Sequence, residues 1–113
     1  VEKAIRRPKV YVINDSGHDY EGAREYGDLV ILTKGRVAAY AANNHYRSFV
    51  SQMEDLQEND YVLVTSLASL NAIVGWIIGS RGLPLNLLLY RDGKYIVRRL
   101  VDNLNEIGED DDD

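Results

Sequence analysis

The chain has 113 residues, of which 45% are hydrophobic and 27% charged, with a net charge of −5 and no cysteine. That length supports one domain with a single sizeable core, and the composition is that of a folded protein and not of a disordered one. The missing cysteines exclude a disulfide framework, a thiolate zinc site and a cysteine nucleophile.

The first nine residues, VEKAIRRPK, carry Lys3, Arg6, Arg7 and Lys9 against Glu2, and residues 1–8 are assigned to a basic N-terminal arm. The chain opens on Val1 and not on methionine, which leaves room for processing or for residues upstream. No basic region followed by an apolar core stands here, so a secretory leader is not expected. KVYVIN (9–14) is rich in β-branched residues and bounded by Pro8 and Asn-Asp-Ser-Gly, which predicts a strand. Asp19 to Tyr26 suits about two turns of helix, capped by Asp19 and stopped at Gly27. DLVILT (28–33) is continuous and apolar, the pattern of a strand covered on both faces. Residues 34–42 show no clear period and are read as irregular.

From Asn44 the spacing changes. Tyr46, Phe49, Val50, Met53 and Leu56 recur at steps of three and four, the stripe of an amphipathic helix capped by Asn43 or Asn44. A strand, YVLVT (61–65), follows the polar Gln57 to Asp60. The next helix is predicted from Ser66 as N-cap to Gly82, with Pro84 beyond it. Leu67, Leu70, Val74, Ile77 and Ile78 make its apolar face. Ala68, Ala72, Gly75 and Gly79 make a second stripe of small residues, which lets another backbone come close. Such a helix is expected to be covered by the sheet and a neighbouring helix, or by a second copy of the chain. Its apolar stretch is interrupted by Ser69 and Asn71 and falls short of the roughly 20 residues that span a bilayer. No membrane partner is therefore expected, and the protein is read as soluble and cytoplasmic.

LNLLLY (85–90) and KYIVRRL (94–100) flank Arg-Asp-Gly, a hairpin signal with Gly93 where a positive φ is needed. VDNLNEI (101–107) is compatible with a last helical turn. Residues 105–113 are assigned to an acidic tail holding six of the 18 acids, which leaves 13 basic against 12 acidic residues before it. The domain proper, 9–104, is thus close to neutral. Arm and tail have opposite sign and are expected to attract each other, within one chain or between two. Nucleic acid is not an expected partner, because a few charges on an arm give only a weak, salt-sensitive contact.

Three alternations of strand and helix before a hairpin predict an α/β fold. The expected form is a single three-layer Rossmann-like domain with a mainly parallel sheet, order about 2-1-3-4-5, and an antiparallel C-terminal edge hairpin. The stretches VYVINDSGHDYEGAREYGDLVILTKG and YVLVTSLASLNAIVGWIIGSRGLPLNLLLY resemble, in layout, the short uncharacterised Rossmann-like proteins carried in phage genomes. The resemblance covers residues 9–98. It implies the fold and a viral origin, and no activity or catalytic residue.

In open α/β sheets, ligands bind beyond the carboxyl ends of the strands, where the strand order reverses. Here that point lies between the first and third strands. The candidate ligand-binding residues are Asn14, Asp15, Ser16, Gly17 and His18 in one loop and Thr65 and Ser66 in another, with Thr33, Lys34 and Gly35 nearby. In NDSGHD, Gly17 would allow close backbone approach, helix N–H groups would accept an anion, and Ser16 or His18 would add a donor. The same residue types also build ordinary turns, with Asp19 as a cap. Ser66 would either hold phosphate with Thr65, Ser69 and the helix start or simply cap the helix. Asn71 is one turn in and within reach of the same loop. A nucleotide or other phosphate-bearing small molecule is the first expected ligand.

Catalysis is less supported. There is no three-glycine dinucleotide fingerprint, no P-loop lysine and no GxSxG elbow. Ser16 and His18, two residues apart in a turn, are not a built nucleophile–base pair. Asp15, His18 and Asp19 are ligand types for a divalent ion, yet three loop neighbours seldom point at one centre, and His45 lies on a helix elsewhere. No catalytic residue, metal site or cofactor is assigned. The sequence reads as a non-enzymatic binding or assembly module that self-associates through Trp76 and the small-residue stripe. The rival reading is a small enzyme acting on a nucleotide-like substrate, with His18 and Asp15 or Asp19 as acid and base. Val12, Val30, Ile31, Val62, Val64, Leu87 and Leu89 are expected to lie inside the sheet with little exposure, and Leu87→Asp to unfold it.

Overall fold

The structure, a computed structural model, describes residues 5–101. Five strands form one sheet: β1 (Lys9–Val12), β2 (Asp28–Ile31), β3 (Tyr61–Leu63), β4 (Leu85–Arg91) and β5 (Lys94–Leu100). Their order is β2-β1-β3-β4-β5, parallel except for the antiparallel β4–β5 pair. The connections are a 3-10 helix (Glu21–Glu25) and two α-helices, α1 (Ala42–Gln52) and α2 (Ala68–Ser80).

The chain steps one way from β1 to β2 and the other way from β2 to β3 and β4. Right-handed crossovers running in opposite directions lie on opposite faces of a sheet, and the core divides accordingly. On one face Tyr11, Ile13 and Val62 meet Phe49 and Met53 of the α1 region and Leu70, Val74, Ile77 and Ile78 of α2. On the other, Val10, Val12, Leu63 and Leu88 meet Ala23 of the 3-10 helix, with Tyr20, Tyr26 and Tyr95 partly buried around it. The third layer is therefore thin.

That layer has a steric cause. A Cβ on Gly27 would lie 2.2 Å from the Pro8 carbonyl oxygen, and the same oxygen accepts the Asp28 N–H at 2.9 Å. The chain thus turns straight into β2, and the expected two turns of helix tighten to a 3-10 helix. Gly27 is required by contact with β1's approach, not by an unusual φ.

Burial along the strands is uneven. Val12 and Val62 are buried, whereas Val30, Ile31, Val64, Leu87 and Leu89 are only half-buried. β2 is an edge strand that carries apolar contacts on both faces, as expected of DLVILT, with Val30 toward the α1 and α2 core and Leu29 and Ile31 toward the 3-10 layer, each only partly buried. On β4 the residues facing inward toward the 3-10 layer are Asn86 and Leu88, both buried. Leu88, not Leu87, is the position where a charge would be most damaging.

Local signals fared unevenly. Gly82, with φ +68°, closes α2: its N–H donates to Gly79 O and the Leu83 N–H to Ile78 O, at 3.0 and 3.3 Å. This paired arrangement satisfies the last carbonyls of a helix. Asp92 and Gly93 form the two-residue hairpin turn, both at positive φ, as a type I′ turn requires. The helix starts differ from expectation. α1 begins at Ala42 with Ala41 as N-cap, so Asn43 and Asn44 lie in its first turn, and Asn44 instead accepts from Arg47. α2 has Leu67 as N-cap, not Ser66.

At the amino ends of the strands, Arg6 forks onto both carboxylate oxygens of Asp60 at 2.8 Å and reaches Asp55 at 2.9 Å. Lys9 also meets Asp55, at 3.2 Å, and Arg7 meets Asp28 at 3.4 Å. Three of the four basic groups expected to pair with the tail are thus held by the domain. The tail, the predicted turn after Val101 and Lys3 lie outside the described residues. Among the described residues no helix is long and apolar enough to cross a membrane.

Candidate functional site

β1 and β3 are neighbours that do not follow one another in sequence, so the loops leaving their carboxyl ends diverge and open a gap. Beyond Val12 the chain stays close to its neighbours before turning away. Ile13 N–H donates to Leu63 O, and Asp15 N–H to Thr33 O. Asn14 Nδ2 donates to Thr33 Oγ1 and Gly35 O, at 2.9 and 3.0 Å, which anchors the loop from below. Asp15 accepts the Gly17 N–H through Oδ1 at 3.0 Å, and Gly17 sits at φ +98°. This tight turn lifts Ser16 and His18 away from the sheet. Asp19 Oδ1 then accepts the Glu21 N–H at 2.9 Å and starts the 3-10 helix.

The other wall is the step from β3 to α2. Asn71 grips it from both sides, donating from Nδ2 to Thr65 O at 2.7 Å and accepting the Thr65 N–H through Oδ1 at 3.1 Å. Thr65 Oγ1 faces the Leu67 N–H at 3.4 Å. Ser66 does not perform the capping task expected of it: α2 has no side-chain cap, and the Ser66 side chain is exposed with no hydrogen bond among the described residues.

These walls enclose a cavity of about 430 Å³ lined by Asn14, Ser16, His18, Thr65 and Ser66 together with Asp19, Tyr20, Tyr90 and Tyr95. Five of the seven candidate residues therefore meet at one place. Asp15 and Gly17 do not line it; they shape the turn.

Tyr90 and Tyr95 were not among the candidates, although a signal existed. Counting outward from a two-residue Asp-Gly turn pairs Arg91 with Lys94 and Tyr90 with Tyr95, and that is the observed register. Gly22 completes the wall: its missing side chain lets the Tyr95 ring approach, since a Cβ there would stand 3.3 Å from Tyr95 Cε2. Burial, and then the adjacent Tyr20, Tyr90 and Asp19, push the Tyr95 phenol above its ordinary value.

The chemistry available is hydrogen bonding and aromatic contact. Among the described lining residues there is no Lys or Arg to neutralise a phosphate. The Asp15 and Asp19 carboxylates hold backbone N–H groups, and His18 meets the Tyr20 ring at 6.3 Å but hydrogen-bonds neither acid. No group of three or more metal-ligating side chains is assembled among the described residues. His45 Nε2 lies 2.9 Å from Ala38 O, remote from the cavity.

Comparison with family models, with curated proteins and with solved structures finds no match for this chain.

Proposed function

We propose that this protein is a small-ligand-binding α/β module and not an acid–base enzyme, with its ligand held between the NDSGHD loop, the Thr65-Ser66 step and the Tyr90–Tyr95 pair. The carrying observation is that Ser16, His18 and Ser66 line one cavity with side chains not engaged in hydrogen bonds. Polar groups left over beside apolar and aromatic walls are what orient a small ligand. The rival enzyme reading needs His18 coupled to a carboxylate, and both nearby acids are engaged by backbone. Native mass spectrometry and thermal shift against nucleosides, nucleotides and small amines test the reading. A ligand that stabilises the wild type and fails with Ser66→Trp supports it. Stabilisation that is equal in both proteins contradicts it.

Self-association is a second proposal, favoured by Trp76. Its side chain is 65% exposed and stacks on Tyr46 of α1 at 5.3 Å, beside the small stripe Ala72, Gly75 and Gly79. A two-fold pairing of α2 helices would cover both. Sedimentation should then show a dimer that dissociates with Gly75→Glu; a wild type that stays monomeric at high concentration contradicts it.

A further inference from the structure

The cavity proposed above as a ligand site has aromatic rings on one side of its lining, from Tyr20, Tyr90, Tyr95 and His18. Tyr90 and Tyr95 face each other across the hairpin with ring centroids 5.3 Å apart and planes inclined at 69°. His18 and Tyr20 form a second pair, 6.3 Å apart and inclined at 84°. Rings set at such angles form walls rather than a stack, and their faces carry the negative side of the ring quadrupole.

The charges point the same way. Among the described lining residues Asp19 alone carries a formal charge. Its Oδ1 holds the Glu21 N–H, which fixes the carboxylate at the cavity. Arg91 and Lys94 neighbour the two tyrosines in sequence, but alternation along the strands assigns them to the opposite face of the hairpin. Ahead of α2, Asn71 clasps Thr65 and the Leu67 N–H donates to Thr65 Oγ1, while no side chain caps the helix itself.

We infer that this pocket selects an organic cation, a ligand with a substituted ammonium group seated among Tyr20, Tyr90 and Tyr95 and beside the Asp19 carboxylate. The inference rests on the reading of the cavity as a ligand site. A substituted ammonium is attracted by aromatic faces and gives up little hydration to reach them. A phosphate meets a carboxylate and no counter-charge.

The test is an NMR titration of the full chain with tetramethylammonium chloride, with potassium chloride at equal ionic strength as control and with adenosine and inorganic phosphate as separate arms. Tetramethylammonium should shift the Tyr90 and Tyr95 ring signals and His18 in a saturable way. Asp19→Asn, which keeps the oxygen that accepts Glu21 N–H, should weaken binding about three- to tenfold, and Tyr90→Leu by a similar factor. Shifts unchanged in both variants overturn the inference. Adenosine or phosphate shifting these signals where tetramethylammonium does not also overturns it while leaving the ligand site standing. Silence in all three arms overturns both.

Discussion

The two ends of the sheet use polar residues in opposite ways. At the amino ends, Asp60, with its side chain 1% exposed, accepts from Arg6, from the Lys9 N–H and from the Gln57 N–H. Asn86 donates to Glu58 O and Asp60 O and accepts from Arg99. Each of these donors is matched to an acceptor, which offsets the penalty for burying it. At the carboxyl ends, Asn14 and Asn71 are engaged in the same fashion, but Ser16, His18 and Ser66 stand above them uncommitted. One end matches its polar side chains within the fold, and the other leaves three of them without hydrogen-bond partners among the described residues.

The contrast is broken most severely at Asp60. Asp60→Ala strands the Arg6 guanidinium and two backbone N–H groups, and should cost about 3–5 kcal/mol, the penalty for removing one partner of a buried pair. Urea denaturation measures it. Asp55→Ala removes a half-exposed partner of the same cations and should cost far less, because solvent screens such a pair. The Asp55 carboxyl, held below its ordinary range first by Lys9 and then by Arg6, contributes stability that is lost as pH falls through its folded value. Gly27→Ala comes next, at about 3 kcal/mol, because the Pro8 carbonyl oxygen is backbone and has little freedom to move. Loss of less than about 1 kcal/mol in denaturation would contradict the close approach described.

A smaller effect of opposite sign is expected at Tyr11. Its ring is fully buried and its hydroxyl has no hydrogen-bond partner, so Tyr11→Phe should stabilise by about 1 kcal/mol, by removing an unsatisfied group. The hydroxyl also has a pH signature. Burial, then the charge of Asp60, push it up from 10.0 to about 12, so the folded state retains its proton where the unfolded chain has lost it. The contribution is fully present below pH 10 and disappears as pH rises through about 12. Denaturation across that range should fall more steeply for wild type than for Tyr11→Phe, and parallel curves would contradict the assignment.

The smallest stability effects belong to the open end. Ser66→Ala and His18→Ala should each stay within about 0.5 kcal/mol of wild type, as exposed side chains without partners do. A large loss in either would mean that the residue is structural and that the two ends do not differ.

How far all this was legible depends on the range of each interaction. The strand order, the Asp-Gly turn, the Gly82 helix stop and the meeting of the two loops follow from local patterns and one topological rule, and the structure has them all. Asp60 was read only as part of a polar loop, because its partner Arg6 is 54 residues away and no local spacing announces such a pair. Ser66 reads as a cap because serine before an apolar helix usually is one, and the helix start at Leu67 and the clasp of Asn71 on Thr65 emerge only in three dimensions. The thin 3-10 layer was hidden for the same reason: Gly27 reads as a stop, while the Pro8 carbonyl oxygen that dictates it lies on another segment.

The central claim is that recognition belongs to the carboxyl ends of β1 and β3. Chemical-shift mapping of the amide backbone, with adenosine, AMP and tetramethylammonium titrated separately, addresses it most directly. The account predicts that whichever of them binds moves Gly17, His18, Ser66 and Tyr95 together and leaves Arg6 to Lys9 and Asp55 to Asp60 in place. Shifts confined to Arg6, Arg7 and Lys9, with the cavity silent, would contradict it.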